Sequence, residues 1–573
     1  MTAIAGAWRR PGPALPVVRV ARPVASWIVW SRRWAVFASA LAGYLALGAH
    51  LALGLHAMHG DAYSRVTNAF YVLFSRDPHL ASIGFVWPPL PSLFELAVLP
   101  LSLLWPPIVE RGLAAVFMSS IFMAGAVHQV NRTLGEFAVP RAPRALLVGA
   151  FALHPMIVYY GAVGTAEAPT VFFLVLTMRH LARWLSDPAV GPLVIAGLGL
   201  AGAYLTRYEA MFSALGAAGL VALVTIARTE GRRRDRLDGA VADVAIVLAP
   251  FVLAFGGWAV ASWLIVGSPF TQFTSAYGNA AQIAVSAAEG AGEFEPLADK
   301  ARLAFLRVGA LQVLLPLALV SAAFVGWRRR DLRWLAAIAL FCPVLAFMVL
   351  GYLTDALFPW LRFFILAIPL GVLLFGLAIG GLAQHAQPLR QRLDRWLLAV
   401  ARPVTVAEIT LAALIAVPVA GAAMLDRTIA VAESRDLAGI LGPDAARDDR
   451  PGSDLKTFAT ERDVAAYLDA LDLPVGSVVL DAFSGFAIVG QSANPRQFVI
   501  TPDRDFRPIL TDPRSFGIHY LLAPAATGNG LLDAVNVAYP NLAAGRSDLA
   551  VPERSFAGKG GSGDWGLYRV AYP

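Results

Sequence analysis

Cysteine occurs once in 573 residues, at Cys342 within an apolar run, which excludes intrachain disulfides, cysteine-based metal sites and iron–sulfur clusters. Charge is also scarce. Asp, Glu, Lys and Arg make up 15% of the chain, against about a quarter in a soluble domain, while apolar residues reach 57% and mean hydropathy is +0.62. A soluble globular class is therefore excluded, and the useful ruler is the ~20 apolar residues that cross a ~30 Å hydrocarbon core. Lysine is nearly missing (Lys300, Lys456 and Lys559), so arginine carries the positive charge; with the alanine richness this points to a bacterial chain from a GC-rich genome. No cleavable leader is expected, because the N-terminus is long and basic (Arg9, Arg10, Arg19, Arg22, Arg32, Arg33) and the first apolar run is full length without a clear cleavage site.

The charge that is present is unevenly placed. From Leu425 onward there are 14 basic and 19 acidic residues, leaving 32 and 20 before it, so the apolar part is +12 and the tail −5. A pI near 9.6 raises the question of nucleic acid. However, the arginines lie in short clusters between apolar runs, as membrane topology requires, and a nucleic-acid partner is excluded.

Twelve apolar runs lie at about 34–56, 88–106, 112–130, 145–162, 170–186, 190–206, 210–227, 242–266, 309–327, 333–353, 363–383 and 405–424. The second is interrupted by Pro88, Pro89, Pro91, Pro100, Pro106 and Pro107 and carries Glu95, which suits a spanning helix poorly. If this run does not cross, every basic cluster falls on one side; if it does, all later clusters move away from the N-terminal one. The positive-inside rule selects the first arrangement. The expectation is eleven crossings in the cell (inner) membrane, a cytoplasmic basic N-terminus (1–33), a membrane domain (34–424) and a long first external loop (57–111) whose Pro-rich segment lies at the interface. The odd count places the tail outside as well.

The tail reads as a linker (425–455), with 444–454 flexible, followed by an extracytoplasmic α/β domain (456–573). A helix is expected over 459–473, then strands at 477–481, 486–489, 497–501, 519–523 and 566–571. It carries no Gly-x-Ser-x-Gly nucleophile elbow.

On this topology the external edge gathers His56, His59, Asp61, Arg65, Glu167, Arg207, Glu209, Asp355, Arg362 and the loop 267–308. Asp61, just beyond the first crossing, has the placement of a general base, since partial burial is expected to raise its pKa toward working pH while a nearby Arg or His holds it in place; a solvated loop residue would look the same in sequence. Glu167 stands equally as an N-terminal helix charge. His56 and His59 offer two metal ligands with no third in sight. The 40-residue loop is long enough for a lid, with Tyr277, Asn279 and Gln282 as candidate substrate contacts, or it lies on the bilayer.

Asp61 with Asn68-Ala69, then Trp87-Pro88-Pro89-Leu90 in a long first loop, resembles the GT-C glycosyltransferases, above all the family of protein O-mannosyltransferases and lipid A aminoarabinose transferases. The resemblance continues in Tyr159-Tyr160-Gly161-Ala162-Val163-Gly164-Thr165-Ala166-Glu167-Ala168-Pro169, in Leu205-Thr206-Arg207-Tyr208-Glu209 and in Pro359-Trp360-Leu361-Arg362-Phe363, and covers about residues 34–424 in layout. It implies a GT-C-like membrane fold and a polyprenyl-phosphate-linked sugar donor, with transfer of a hexose or pentose to a hydroxyl acceptor (cell-envelope glycan, lipid or protein) on the outer side with inversion. Asp61 would be the catalytic acid of the first loop, Glu167 its supporting acid, and Arg207 and Arg362 would lie near the lipid phosphate; snorkelling boundary arginines give the same pattern. This chain departs from many relatives at Ala62, where an acid is common, and at Trp87, where some have a metal ligand. A metal at Trp87 is not supported, and metal dependence stays open. A lipid-linked-sugar transporter or flippase, or an inactive scaffold for the tail, are the alternatives; a transporter would place its charges nearer the bilayer midplane.

Overall fold

The computed structural model describes residues 23–288, 296–383, 392–442 and 453–572, with side chains of 23–33 and 392–404 left aside. The basic segment before residue 23, the acidic stretch 289–295, Arg390 and most of the 444–454 segment lie outside the described residues. Among the described residues, seven helices are long and apolar enough to span a membrane: Trp34–Gly54, Leu113–Glu136, Tyr208–Arg228, Arg233–Val266, Trp334–Leu353, Leu361–Ala383 and Thr405–Leu425. Counting two bent pairs, Arg141–Ala152 with Pro155–Ala162 and Leu297–Leu311 with Leu315–Arg329, brings the total to nine. The chain is a multi-pass membrane protein.

The bends have a local cause. His154 is extended because it precedes Pro155, and Pro316 sits at the start of the second half of the other pair; neither proline can donate the helical hydrogen bond. The two breaks meet: a ring nitrogen of His154 lies 3.2 Å from the Leu311 carbonyl oxygen. The two remaining runs of the eleven form Glu167–Ser186 and Val190–Tyr204. The first carries Arg179 and Arg183, both bonded to Glu136, and the second has 15 residues, ~22 Å of helix, which is short for a ~30 Å core. The run at 88–106 breaks into Leu90–Val98 and a 3₁₀ turn Leu99–Leu103, too short to span.

Before it, the amphipathic helix Gly60–Phe74 turns one face inward and docks the tail. Strand β1 (Met58–His59) pairs antiparallel with β2 (Leu455–Lys456), and Gly60 N–H donates to Asp454 O at 2.9 Å. The tail sheet has the order β4-β3-β5-β7-β6, from β3 (Val478–Leu480), β4 (Phe498–Ile500), β5 (Tyr520–Pro524), β6 (Ala550–Phe556) and β7 (Trp565–Val570); β3 runs parallel to β4 and β5, while β7 is antiparallel to β5 and β6. One apolar cluster joins Tyr63, Val66 and Phe70 of the first-loop helix to Phe458, Leu480 and Phe486 of the tail.

Two tail expectations are corrected. Residues 486–489 are not a strand but part of the helix Ala482–Gln491, started by Asp481, whose carboxylate accepts the Phe483 N–H at 2.9 Å. An apolar run this short fits either period. The strand β6 was not anticipated because Pro552, Glu553 and Arg554 give it no alternation; it is an edge strand, where proline and charge are tolerated. Within the stretch read as a linker, Val431–Leu441 is a helix, and its Glu433 and Asp436 are buried.

Candidate active site

Four loops converge where the first-loop helix begins. Asp61 occupies the first turn of Gly60–Phe74, with its N–H 3.3 Å from Nδ1 of His59. Arg362 lies on the 3₁₀ turn Leu361–Phe364, and Glu167 opens the helix Glu167–Ser186. Arg207 and Glu209 sit in the turn between Val190–Tyr204 and the helix that follows.

These five side chains form one ionic network. Arg362 Nη1 lies 2.8 Å from Asp61 Oδ2 and its Nε 3.8 Å from Glu167 Oε1, while Arg207 Nη1 lies 2.6 Å from the same Glu167 oxygen and its Nε pairs with Glu209. The Arg362 guanidinium also stacks over Trp360 at 4.2 Å. Glu167, Glu209 and Arg362 are buried, which a charged group tolerates only when paired. Asp61 is the exception. Its side chain keeps 56% exposure because it faces a cavity of about 1780 Å³. Burial among protein groups works to raise the Asp61 carboxyl, but Arg362, His59 and Arg65 outweigh it and hold the group well below the usual carboxylate range.

The cavity runs from Asp61 past Arg65 and Trp87 to the tail residues Phe483, Arg507 and Trp565. Arg65 donates to the Pro88 carbonyl at 3.2 Å and is the arginine of the expected set that reaches the cavity wall; Arg207 and Arg362 stand behind Asp61. Behind Arg65 is Glu95, fully buried, its carboxyl pushed up by burial against the pull of Arg65.

Of the three loop residues, Tyr277 and Gln282 lie on the far wall, away from the ionic network. Tyr277 stacks on Phe483 and its hydroxyl donates to Asp481 at 3.0 Å, and Gln282 donates to the Tyr277 carbonyl at 2.9 Å. Both line the cavity, whereas Asn279 approaches Tyr208 at 3.5 Å and does not. The segment thus joins the membrane helices to the tail across the cavity mouth. His56 is exposed and apart from this group.

Three acids that the sequence reading assigned no role belong to the same centre. Glu433 accepts from Tyr160 OH at 2.8 Å and from the Arg362 N–H at 2.8 Å, fixing the turn that carries Arg362. Asp436 accepts from Tyr159 OH at 2.6 Å and, through Oδ1, from Ser453 OH and the N–H groups of Asp454 and Leu455. Asp454 lines the cavity beside Asp61. A ring nitrogen of His59 and one oxygen each of Asp436 and Asp454 lie within 4.8 Å of one another, the metal-capable cluster among the described residues. The one local signal for the three acids was Tyr159-Tyr160, two phenols in need of acceptors.

No family model and no curated protein matches the sequence. Among solved structures, the chain is similar to ArnT from Cupriavidus metallidurans bound to undecaprenyl phosphate, at 13% identity and a TM-score of 0.48, covering 95% of this chain and 98% of that one. It is also similar to the Archaeoglobus fulgidus oligosaccharyltransferase tethered to an acceptor peptide (12% identity, TM-score 0.41, covering 90% and 72%). Similarity to the S. cerevisiae protein O-mannosyltransferase Pmt1-Pmt2 complex bound to its sugar donor is confined to 40% of this chain, at 16% identity and a TM-score of 0.30, and spans about a third (34%) of the yeast chain.

Proposed function

We propose that the protein is a membrane glycosyltransferase that moves a sugar from a polyprenyl-phosphate carrier to a hydroxyl acceptor on the outer side of the membrane, with inversion at the anomeric carbon. One observation carries the reading: Asp61 opens onto the large cavity while Arg362, at 2.8 Å, braces it from behind. A carboxylate held this way is ionised and oriented, as a general base must be.

In this reading the acceptor hydroxyl gives its proton to Asp61 as its oxygen attacks the anomeric carbon, and the carbon–oxygen bond to phosphate breaks on the opposite face. The electron pair leaves with the lipid phosphate. Arg65, in the cavity wall, meets that charge directly. Arg362 and Arg207 act through the network, since Arg362 loses part of its partner's charge when Asp61 takes a proton and Glu167 then holds it in place. The tail wall, with Phe483, offers an aromatic face to an acceptor, and the 271–288 segment keeps water out.

The test is Asp61→Asn in lipid nanodiscs with radiolabelled polyprenyl-phosphate sugars. Transfer should fall about 10²–10⁴-fold, the scale of a lost general base. Thermal stability should fall as well, by about 1–3 kcal/mol, because Arg362 is buried and, among the described residues, keeps only the Glu167 carboxylate at 3.8 Å. Turnover within threefold of the parent protein rules Asp61 out as the base.

A further inference from the structure

We propose that His59, Asp436 and Asp454 bind a divalent transition cation, Zn²⁺ or Mn²⁺, that clamps the entry of the tail onto the first loop. The donor set excludes Asp61 and draws two of its three ligands from the tail.

The site is built by backbone pairing before any ion is considered. Strand β1 places His59 opposite Leu455, and the Gly60–Asp454 hydrogen bond sets Asp454 beside it. Asp436 then fixes the turn through the three bonds its Oδ1 accepts from residues 453–455. This leaves Oδ2, which accepts one bond from Tyr159 OH and keeps a lone pair, as ligating carboxylates do when an outer group supports them. Ligand atoms around a bound Zn²⁺ stand about 3–4 Å apart, given metal–ligand distances near 2.1 Å. A span within 4.8 Å needs only small side-chain movements to reach that.

Within the cluster, His59 is buried with a single long contact, and Asp454 faces the cavity with its carboxylate unbonded among the described residues. The His59 ring is 2% exposed, and among the described residues its sole hydrogen bond is the long 3.3 Å contact from Asp61 N–H to Nδ1. A cation on either ring nitrogen gives up this contact, at a cost of ~1 kcal/mol or less. Among the described residues the Asp454 carboxylate makes no hydrogen bond or ion pair, and its ionisable neighbours are His59 and Arg362 together with the acids Asp436 and Asp61.

Charge balance points the same way. Asp61, Glu167, Glu209, Glu433, Asp436 and Asp454 are six carboxylates drawn together against the three guanidinium groups of Arg65, Arg207 and Arg362. With His59 neutral, as a metal ligand must be, three negative charges are left over, and a divalent cation offsets two of them. One imidazole with two carboxylates, and room for water on the cavity side, suits Zn²⁺ or Mn²⁺ better than the all-oxygen preference of Ca²⁺ or Mg²⁺.

Tag-free full-length protein in nanodiscs, stripped with EDTA and dialysed against ZnCl₂ or MnCl₂, is assayed for bound metal by mass spectrometry and for affinity by calorimetry. About one equivalent of one ion is expected, with His59→Ala and Asp454→Asn each weakening it at least tenfold, and with the ion raising Tm of the parent but not of Asp454→Asn. Less than about a tenth of an equivalent of either ion overturns the proposal, as does unchanged binding by Asp454→Asn, which marks an adventitious ion only. Should His59→Ala fail to fold, Asp454→Asn decides, because its carboxylate carries no bond in the fold. None of these readouts uses sugar transfer, so the result stands apart from the Asp61 test.

Discussion

Replacing Glu433 tests whether the short helix Val431–Leu441 is part of the active centre. Its carboxylate is fully buried and accepts three bonds: from Tyr160 OH at 2.8 Å, from Arg362 N–H at 2.8 Å and from Leu361 N–H at 3.4 Å. Glu433→Ala leaves one phenol and two backbone donors without acceptors inside the protein. At ~1–3 kcal/mol for each buried donor left unpaired, and with the 3.4 Å bond weak, the loss should be about 3–5 kcal/mol. Glu433→Gln keeps one acceptor oxygen for Tyr160 and Arg362 and turns an NH₂ towards Leu361, which should cost ~1–2 kcal/mol. The turn carrying Arg362 loosens in proportion, and a displaced Arg362 no longer orients Asp61. Thermal melts and radiolabelled-sugar transfer in nanodiscs should therefore rank parent, Gln and Ala in the same order by both measures. Equal Tm for the parent and Glu433→Ala would refute the capping role; an unchanged Tm with lost transfer would make Glu433 a substrate contact instead.

The junction between the first loop and the tail gives two further predictions. Asp503, beside Arg76 at 3.0 Å with Asp505 and Asp77 close by, is pushed up to about 6 by burial. An acid whose folded value lies above its unfolded one binds more protons when folded, so stability falls as pH rises from about 4 to 6, by an amount on the order of 2–3 kcal/mol. Asp503→Asn should remove that part of the pH dependence; parallel denaturation curves for parent and variant across this range would contradict it. At Gly490, an added Cβ would stand 2.7 Å from Tyr63 Oη and 2.8 Å from Thr67 Cγ2, both on buried side chains of the first-loop helix. Gly490→Ala should cost ~1–3 kcal/mol by overpacking and expose the tail to limited proteolysis, and a protease-resistant variant with parental Tm would show that the two surfaces can part at no cost.

Much of this architecture is written in local pattern. Each of the eleven apolar runs taken as crossings appears as a helix or a bent helix pair, because hydropathy over ~20 residues is set by composition alone. Asp61, Glu167, Arg207 and Arg362, more than 300 residues apart at the extremes, come together in the fold. The cue that grouped them was the side on which arginines are unexpected, a global signal rather than a motif. Glu433, Asp436 and Asp454 gave no such cue. They lie in a short, charged stretch whose composition is that of a solvated linker, and their burial follows from pairings with Tyr159, Tyr160 and the Arg362 backbone, which no window of sequence contains. His59 lacked a third ligand in sequence for the same reason.

The way these acids are supplied also changes how the tail can be tested. Deleting residues 430–573 removes Glu433, Asp436 and Asp454 along with the sheet, so a loss of transfer would report the collapse of the Arg362 turn as readily as a failure to hold acceptor. Cutting after β2 spares the three acids but strips Phe458, Leu480 and Phe486 from the cluster shared with Tyr63 and Phe70, which uncovers the apolar face of the helix whose first turn bears Asp61. Truncation at either point acts on the reaction centre itself. Acceptor recognition is separable from it by side-chain changes on the far wall at Phe483, where the cavity is lined by the tail and, among the described residues, no contact reaches the ionic network; Trp565 is buried in the shared cluster and is not such a position.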